Sequence, residues 1–279
     1  MTGVVILYYP DKATLISNIN TYIHGLDKLY LYDNSEDVDS KLGIDLSSIS
    51  EKIVYENFGE NAGISKRLNQ AIAAAQNDGA DYLLTMDQDS SFKSGDFERY
   101  QHLIYSNLTK DVAQFGVNCQ PEFTKPNESS EIAISLITSG SVISLEYINN
   151  IGLFDENLFI DFVDAEFSYR VSNSGFHNLL FPNIILNHII GSRVEGRSLI
   201  TFKKSMRIVH SPIRVYYILR NGLHLYFKHK GLTKNQLNDV RRSIMVIKND
   251  FIYNPELVAV YKNSFFAIKD FILNKIGKN

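Results

Sequence analysis

The sequence predicts an α/β fold, because apolar runs of strand length alternate with helical patterns over its first half. Val4 to Tyr9 is an uninterrupted apolar run closed by Pro10-Asp11, which is typical of a strand buried on both faces of a parallel sheet. Ile64 to Gln76 is rich in alanine and ends at Asp78-Gly79, which predicts a helix. Tyr82 to Met86 is another apolar run, and it ends in carboxylates. The chain has 279 residues, 44% of them hydrophobic, which fits one large α/β domain or a domain with an appendage.

The other predicted elements continue this alternation. They are a helix within residues 12 to 25, strands at Leu29–Tyr32 and Ile53–Tyr55, a helix at Phe97–Leu108, strands at Val112–Val117 and Ile132–Thr138, a helix ending near Ser172, and a strand at Ile184–Leu186. Gly191 to Arg197 is interpreted as a mobile loop. The order of elements predicts a Rossmann-like nucleotide-binding half. We expect an α/β domain over residues 1–210 and a C-terminal helical region over residues 211–279.

Composition argues against some classes of function. The formal net charge of -3 argues against a generic nucleic-acid binder, which relies on a broad cationic face, but it is still compatible with a local basic patch. Cys119 is the single cysteine, so a Cys-rich zinc site is excluded and a small buried apolar role is favoured for it. The N-terminal run lacks the basic segment of a secretory signal, and no apolar segment reaches about 18 residues. We expect a protein that is soluble or lies on a membrane surface.

Asp87 and Asp89, separated by one residue at the end of a predicted buried strand, form the most informative motif. Like charges this close are costly unless a divalent cation neutralises them, so the pair indicates a site for Mg²⁺ or Mn²⁺ and a diphosphate. His188, which follows another strand, is a candidate nitrogen ligand. The alternatives are a solvated turn for the two aspartates and a hydrogen-bonded structural role for the histidine.

Further candidates lie where other predicted strands end. In open α/β sheets ligands collect at the carboxyl edge, so Tyr9, Asp33 and Asp87 are expected to share one crevice. Asp33 is a candidate acceptor for the imide proton of a pyrimidine base, although a turn or helix-capping role fits it equally well. Gly63 allows either a close approach of a phosphate to the backbone or a tight turn.

A second acidic cluster surrounds Asp164. Its apolar neighbours favour a raised pKa, as a general base requires, so Asp164 is the candidate catalytic residue. Glu166 and Arg170 lie four residues apart, and an ordinary helical ion pair is favoured over a catalytic role for Glu166. Asp161 is expected either to border an acceptor pocket or to cap the helix.

Eight segments occur in an order and spacing that resemble a known family. They are Tyr8-Tyr9-Pro10-Asp11, Tyr32-Asp33-Asn34-Ser35, Glu60-Asn61-Ala62-Gly63-Ile64-Ser65 with Asn69, Leu84-Thr85-Met86-Asp87-Gln88-Asp89-Ser90, Thr138-Ser139-Gly140-Ser141, Ile151-Gly152-Leu153-Phe154-Asp155-Glu156, Phe159-Ile160-Asp161-Phe162-Val163-Asp164, and His188-Ile189-Ile190-Gly191. Together they resemble inverting family 2 glycosyltransferases of the GT-A fold, and among these the bacterial rhamnosyltransferases that use dTDP-L-rhamnose. The resemblance implies a GT-A catalytic domain with a mixed central sheet over residues 1–210.

The resemblance also implies roles for residues at matching positions. Asp33 would recognise the thymine, Asp87 would approach the ribose, and Asp89 would ligate the cation that bridges the diphosphate. His188 falls where many members of the family help to hold the metal or the diphosphate. Asp164 falls at the position of the general base.

Two further groups of residues are implied in ligand contacts. The nucleotide pocket would be lined by Tyr8, Tyr9, Asn61, Gly63 and Lys66. The diphosphate or the acceptor would be covered by Arg214, Arg220 and Asn221, with Asp161 at the border of the acceptor pocket.

One segment departs from the family pattern. The first strand of the family usually ends in Thr-Tyr-Asn-Pro, whereas Leu7 and Tyr9 occupy the Thr and Asn positions here. The polar contacts to the nucleoside that the family makes there are therefore absent, and stacking of the base on a tyrosine is the expected substitute. The departure bears on the identity of the nucleotide more than on the reaction.

The expected function is a single displacement that inverts the sugar configuration. The sugar is expected to be L-rhamnose from dTDP-L-rhamnose, and the acceptor a glycan or a lipid-linked saccharide in bacterial cell-surface polysaccharide synthesis. One alternative is a UDP-hexose transferase of the same fold that uses glucose, galactose or galactofuranose. Another is a non-catalytic module that binds a sugar nucleotide or a glycan. A nucleotidyltransferase is disfavoured, because no phosphate-cradling Gly/Lys/Arg loop lies near the first strand.

The C-terminal region combines aromatic and basic residues at helical spacing. One interpretation places it on an anionic leaflet at the cytoplasmic membrane face, as a peripheral contact. The other interpretation is packing on the catalytic domain or on a partner in a homodimer. A cytoplasmic location is expected with either interpretation, and no nucleic-acid partner is expected.

Overall fold

A mixed sheet of nine strands organises the N-terminal part of the chain. The computed structural model describes residues 1–36, 49–108, 111–119, 130–188, 192–197 and 202–278. The segment Ile189–Gly191, which contributed to the resemblance, lies outside the described residues. Along the main path of the sheet, strands three, two, one and four are followed by eight, six, nine and five, and the seventh pairs with the ninth.

Four parallel strands form one half of the sheet. They are β1 (Thr2–Leu7), β2 (Lys28–Asp33), β3 (Ile53–Asn57) and β4 (Tyr82–Asp87). In the register of these strands, Leu7 pairs with Asp33, Asp33 pairs with Asn57, and Ile6 pairs with Asp87. Their carboxyl ends therefore meet at one edge, as expected from the sequence.

The other half of the sheet contains both parallel and antiparallel pairs. Its strands are β5 (Ser91–Phe92), β6 (Val112–Asn118), β7 (Glu131–Ile132), β8 (Ser141–Ser144) and β9 (His177–Asn187). The strand predicted over Ile132–Thr138 is wrong beyond Ile132. The backbone N–H of Leu136 donates to the hydroxyl of Ser168 at 3.1 Å instead of to a neighbouring strand.

Helices cover this sheet and connect its strands. They are α1 (Lys12–Ile19), α2 (Ile64–Asn77), α3 (Asp96–Ser106), α4 (Ile148–Ile151) and α5 (Val163–Asn173). In α2 the buried positions include Leu68, Ile72 and Ala75, which recur at helical spacing and pack one face of the helix onto the sheet. The predicted helix within residues 12 to 25 is two elements, because α1 ends at Ile19 and a short 3₁₀ turn follows at Ile23–Gly25.

The chain divides into two compact units. The first unit contains residues 1–156 and 164–188, and the second contains residues 157–163 and 189–279. The boundary expected at residues 210/211 therefore lies inside the second unit. The reason is a hairpin of β10 (Ser192–Arg197) and β11 (Lys204–Val209), which pair with each other and not with the central sheet. This hairpin also corrects the loop expected at Gly191–Arg197, of which residues 192–197 form a strand.

Helices make up the rest of the second unit. They are α6 (Pro212–Phe227), α7 (Lys234–Ile244), α8 (Asp250–Tyr253) and α9 (Leu257–Ile272). The helix α7 begins with a capping box between Thr233 and Gln236. Among the described residues, no helix combines the length and the apolarity needed to cross a bilayer.

Candidate functional site

Asp87, Asp89 and His188 converge at the end of β4. One potential ligand atom from each residue lies within 4.8 Å of the others. The Nδ1 atom of His188 is 3.5 Å from Oδ1 of Asp89 and 3.8 Å from Oδ2 of Asp87. The expectation that these residues meet, although they are about a hundred positions apart in sequence, agrees with the structure.

The donor set of this cluster fits a divalent cation. The two aspartates are 41% and 44% exposed and supply oxygen ligands, while His188 is 15% exposed and supplies nitrogen. Partial burial acts to raise the pKa of Asp89, but the hydrogen bond and charge of His188, with the hydroxyl of Ser90, hold that pKa below its usual range. Asp89 is therefore a carboxylate at neutral pH, which is the form that binds a metal.

Strand pairing brings His188 to the two aspartates. In the antiparallel pairing of β5 with β9, Ser91 lies opposite Asn187, so the next residues along, Ser90 and His188, are neighbours. The hydroxyl of Ser90 is 2.8 Å from Nδ1 of His188. This contact orients the imidazole beside Asp89.

The backbone of Asp87 is held by the segment before β8. Its N–H donates to the hydroxyl of Ser139 at 3.1 Å, and the hydroxyl of Thr85 donates to the carbonyl of Thr138 at 2.5 Å. Gly140 has a φ of 78°, and a Cβ there would lie 2.5 Å from a methyl group of Val117. Only glycine fits this close approach, which explains the small residues in the segment.

Gln88 ties the acidic motif to the end of β1. Its Oε1 accepts a hydrogen bond from the N–H of Tyr8 at 2.8 Å, and its Nε2 donates to the carbonyl of Tyr8 at 3.2 Å. In addition, Asn18 donates to the backbone carbonyl of Gln88 at 3.0 Å. The residue between the two aspartates therefore fixes the position of the tyrosines in relation to the metal cluster.

Tyr8 and Tyr9 present two exposed rings at this edge. They are 47% and 52% exposed, and their ring centroids are 4.7 Å apart in an edge-to-face arrangement. Tyr9 has a φ of 45°, which is strained for a residue other than glycine and is stabilised by a hydrogen bond from its N–H to Ser35. Partial burial raises the pKa of Tyr8, and the negative charge of Glu36 makes a smaller contribution in the same direction. Stacking of a base on these rings stays a prediction.

Asp33 is fully buried at the end of β2. Its Oδ1 accepts hydrogen bonds from the N–H and the hydroxyl of Ser35 at 2.9 and 2.6 Å, and its Oδ2 accepts one from the hydroxyl of Tyr55 at 2.8 Å. Recognition of a base by Asp33 therefore requires one of these donors to move. That role stays a prediction.

The loop before α2 is built on a buried arginine. Arg67 is 1% exposed, donates to Oδ1 of Asn34 at 2.7 Å and to the carbonyl of Glu60 at 3.1 Å, and stacks 3.6 Å from the ring centre of Phe58. Burial lowers the pKa of Arg67 below its usual value, and the charge of nearby Glu60 offsets part of this shift. This side chain fixes the loop that carries the predicted pocket residues.

Asn61, Gly63 and Lys66 are the predicted pocket residues at this loop and the start of α2. Asn61 accepts a hydrogen bond from the N–H of Gly63 at 3.1 Å, which is a turn within the loop. Gly63 has a φ of 87°, so the tight-turn interpretation agrees with its backbone. Lys66 is 44% exposed and lies 3.6 Å from Glu60. Their contact with a nucleotide stays a prediction.

Asp164 lies in the first turn of α5, in the first unit. Its Oδ1 accepts a hydrogen bond from the N–H of Ala165 at 2.8 Å, and the side chain is partly exposed. One turn further along, the hydroxyl of Ser168 donates to Gln114 of β6 at 3.1 Å and accepts from the N–H of Leu136. These bonds anchor α5 to the sheet near the segment that holds Asp87. Its role as a base stays a prediction.

Glu166 and Arg170 form the helical ion pair that their spacing predicted. The guanidinium contacts both carboxylate oxygens, at 2.6 and 2.8 Å, and Glu166 is 3% exposed. Arg170 also donates to the carbonyls of Ile151 and Leu153, each at 2.8 Å. The pair joins α5 to the turn after α4, which confirms the structural interpretation of Glu166.

Comparison with known families identifies the class of protein to which this chain belongs. Residues 13–166 match the family model described as Glycosyl transferase family 2, which is more than half of the chain. The chain belongs to glycosyl transferase family 2. The matched range contains Asp33, Asp87, Asp89 and Asp164 and ends before His188. The resemblance inferred from the sequence is thereby confirmed, and the protein is an enzyme of sugar transfer.

Individual relatives agree with this assignment. The dTDP-rhamnosyl transferase RfbF of Shigella flexneri is 26% identical, over 97% of this chain and 92% of that protein. Among solved structures, the mannosyltransferase PcManGT of Pyrobaculum calidifontis, in complex with GDP-Man and Mn²⁺, has a TM-score of 0.60 at 10% identity, covering 98% of this chain and 74% of that chain. S. aureus TarS 1-349, in complex with UDP-GlcNAc, has a TM-score of 0.59 at 12% identity, covering 99% and 82%. These two likenesses confirm the GT-A fold.

The remaining predicted residues of the glycosyltransferase lie in the second unit. Asp161 and Arg214 form an ion pair there, with side chains 7% and 45% exposed. Asp161 and the following Phe162 have φ values of 60° and 68°, so two residues in succession adopt a backbone that favours glycine. Contact of Asp161 and Arg214 with an acceptor stays a prediction.

Arg220 and Asn221, which were expected to cover the diphosphate or the acceptor, are buried in the second unit. They are 2% and 0% exposed. Arg220 donates to Oδ1 of Asn221 at 2.9 and 3.0 Å and to the carbonyl of Gly277 at 2.7 Å. Asn221 donates to the carbonyls of Ile160 and Asp161, at 2.8 and 3.1 Å. Both side chains hold the second unit together, and their contact with a ligand stays a prediction.

Sequence reasoning missed several residues of the glycosyltransferase site. Gln88 was passed over although it lies between the two aspartates. Arg67 lies one position before Leu68 and four before Ala71, so helical periodicity places it on the buried face of α2. The contacts of Ser90 and Tyr55 carried no sequence signal, because their partners His188 and Asp33 are brought to them by strand pairing.

Proposed function

We propose that this glycosyltransferase transfers L-rhamnose from dTDP-L-rhamnose to a hydroxyl group of a glycan or a lipid-linked saccharide. The observation that carries the choice of donor is the likeness to the dTDP-rhamnosyl transferase of Shigella flexneri over nearly the full length of both chains.

Asp87, Asp89 and His188 are the residues proposed to hold Mg²⁺ or Mn²⁺. When bound, the ion would stabilise the negative charge that develops on the leaving diphosphate. An imidazole ligand favours Mn²⁺, since Mg²⁺ prefers oxygen ligands. The mannosyltransferase of the same fold, which contains Mn²⁺, supports this choice.

Asp164 is proposed to remove the proton from the acceptor hydroxyl. The hydroxyl oxygen attacks the anomeric carbon while the bond from that carbon to the diphosphate oxygen breaks on the opposite side, so the configuration inverts. The proton moves to the carboxylate of Asp164, and the nucleoside diphosphate leaves with the bonding electrons. The hydrogen bond from Ala165 holds one carboxylate oxygen in place and so orients the base.

A UDP-hexose donor is the second candidate. One feature favours it: the first strand ends in Leu7-Tyr8-Tyr9-Pro10, without the polar residues that the resemblance implies for contact with the nucleoside of a dTDP donor. This feature concerns recognition of the nucleoside and leaves the transfer chemistry unchanged. The glucose, galactose and galactofuranose derivatives of UDP therefore belong in the same test.

The location and partners proposed for the enzyme follow from its acceptor. A lipid-linked saccharide would place it in the cytoplasm, at the inner face of the cell membrane, for synthesis of a cell-surface polysaccharide. A homodimer is a separate proposal, and no nucleic-acid partner is proposed.

A donor panel tests this function. The protein is incubated with Mn²⁺, an acceptor extract and dTDP-L-rhamnose, or with one of the UDP-hexoses, and the released nucleoside diphosphate is measured by chromatography. Release of dTDP, with an inverted glycosidic linkage by NMR, is expected. Release of UDP alone would show that the donor is a UDP-hexose instead. Release of neither nucleoside diphosphate would favour a non-catalytic module that binds a sugar nucleotide or a glycan.

A further inference from the structure

The helix α9 has two apolar faces, and packing within the second unit uses mainly one of them. Val260, Ser264 and Ala267 are buried on the inner face. The outer face carries a stripe of five exposed side chains, here called the α9 stripe: Val258, Tyr261, Phe265, Ile268 and Ile272, which are 84%, 56%, 66%, 45% and 69% exposed. Successive members are three or four positions apart, so they line one side of the helix.

Packing of α9 within the second unit uses chiefly its inner face, although Tyr261 of the stripe also contacts Phe251, with ring centres 5.5 Å apart, and donates to its backbone carbonyl at 3.1 Å. On the inner face, Ala267 packs in an apolar cluster with Phe159, Tyr216 and Tyr217. The hydroxyl of Tyr216 also donates to Asp270 at 2.9 Å, on the side of α9 that faces α6. A row of large apolar side chains that remains exposed after these contacts is the mark of an interaction surface.

Lysines border the α9 stripe. Lys262 and Lys269 are exposed on the same helix, at positions adjacent to the stripe on the helical surface. Lys275 and Lys278 follow the end of the helix and are also exposed. The Nζ of Lys269 lies 6.0 Å from the ring centre of Phe266, so its alkyl chain runs along an aromatic surface while its charge stays outside.

The second unit as a whole is cationic. It contains 17 Lys and Arg against 6 Asp and Glu, whereas the first unit contains 11 and 25. Four of the six carboxylates in the second unit are engaged within it: Asp161 with Arg214, Glu195 with Lys204, Asp250 with His210, and Asp270 with Tyr216. The charge presented by this unit is therefore strongly positive.

We propose that the α9 stripe docks on an anionic membrane surface. The five apolar side chains would enter the boundary between headgroups and acyl chains, and Lys262 and Lys269 would contact lipid phosphates. A second copy docked symmetrically, stripe against stripe, is a poorer occupant, because it would bring two strongly cationic units together, whereas an anionic leaflet neutralises them. The inference rests on the proposed function only in one respect, namely that the acceptor is lipid-linked.

Vesicle binding of the full-length protein tests the proposal. Co-sedimentation is measured, without donor or acceptor, with vesicles of phosphatidylcholine alone or mixed with phosphatidylglycerol. Binding to the mixed vesicles, weakened by high salt, is expected. The double variant Phe265→Ser/Ile272→Ser should weaken it roughly tenfold or more. Lys262→Gln/Lys269→Gln should weaken it by about fivefold for each lysine.

Matched controls lie in the first unit. Ile132→Ser removes an apolar side chain of similar exposure, 66%, and Lys12→Gln/Lys93→Gln removes two exposed charges, so both variants should bind like the wild type. No binding to anionic vesicles, or binding that the α9 variants leave unchanged, would overturn the proposal. So would a dimer that dissociates in the α9 variants by analytical ultracentrifugation while vesicle binding persists. Because no substrate is present, failure here leaves the proposed transfer reaction untouched.

Discussion

The two units of this glycosyltransferase are opposite in net charge, and they differ in the kind of functional feature that each contains. The first unit has more than twice as many carboxylates as cationic side chains, and its candidate site residues lie at the ends of strands and in the first turn of α5. The second unit has nearly three times as many cationic side chains as carboxylates, and its main feature is an exposed apolar face. A formal net charge of -3 for the whole chain conceals this division. Composition is therefore informative only when it is counted for each unit.

The comparison implies that single substitutions in the first unit affect catalysis most. Asp164→Asn is expected to lower kcat about 10²- to 10⁴-fold, because the amide cannot accept the acceptor proton. Donor affinity, measured by calorimetry, should stay close to that of the wild type. Asp96→Asn is the matched control, since Asp96 lies in the first turn of α3 as Asp164 does in α5. Near-normal turnover by Asp164→Asn would show that Asp164 is not the catalytic base.

Glu166→Gln separates structure from chemistry within one turn of the same helix. It breaks a buried charge pair and is expected to cost about 1–3 kcal/mol of stability, seen as a lower melting temperature. The value of kcat should remain within about twofold of the wild type, because the other contacts of Arg170 still anchor α5. Glu98→Gln, in the first turn of α3, is the control. Loss of turnover at an unchanged melting temperature would show a catalytic role instead.

Asp250 extends the comparison to the second unit. Burial by itself raises its pKa, but hydrogen bonds from His210 and Asn254 outweigh this and hold the pKa below its ordinary value of 3.8. The stabilisation by the carboxylate is thus present above about pH 4 and is lost as the pH falls through the folded-state pKa.

Asp250→Asn should therefore lower the melting temperature between pH 5 and 7, by an amount that corresponds to about 2 kcal/mol. The difference from the wild type should shrink below about pH 4. Glu256→Gln, an exposed change in the same unit, should show no such trend. A difference that is constant down to pH 3 would contradict the assigned role of Asp250.

Tyr8→Phe should have the smallest effect. It removes the hydroxyl that interacts with Glu36 and Asn61 but keeps the ring for stacking. We expect the KM for the donor to rise about two- to fivefold at unchanged kcat. Tyr105→Phe, at a residue that is 51% exposed on α3, is the control. An unchanged KM would place the hydroxyl outside the donor site.

The sequence predicted the parts of the site that depend on local pattern. Four apolar runs that end in polar residues located β1 to β4, and the parallel order of the strands explained why Asp33 and Asp87 lie at one edge. The i to i+4 spacing of Glu166 and Arg170 predicted their ion pair. These predictions succeeded because each depends either on residues that are close together in the chain or on the general rule that parallel strands end at one edge of a sheet.

The predictions that failed depend on contacts between distant segments. Residues 191–197 were interpreted as a mobile loop, whereas residues 192–197 form β10, which pairs with β11. The strand expected over residues 132–138 ends at Ile132, and Leu136 bonds to Ser168 of α5 instead. The partners of the buried Arg220 and Asn221, Gly277 and Ile160, are also distant in the chain. A local sequence pattern does not predict contacts with partners that are so distant in the chain.

Binding of Mn²⁺ tests the central claim most directly. The electron paramagnetic resonance signal of free Mn²⁺ falls as the ion binds, so the wild type can be titrated in the presence of dTDP and compared with Asp89→Ala, His188→Ala and the exposed control Asp81→Ala. We predict that the wild type and Asp81→Ala bind one ion with equal affinity, that Asp89→Ala loses this binding, and that His188→Ala weakens it about 10- to 100-fold. Undiminished binding of Mn²⁺ by Asp89→Ala would contradict the assignment of the metal site.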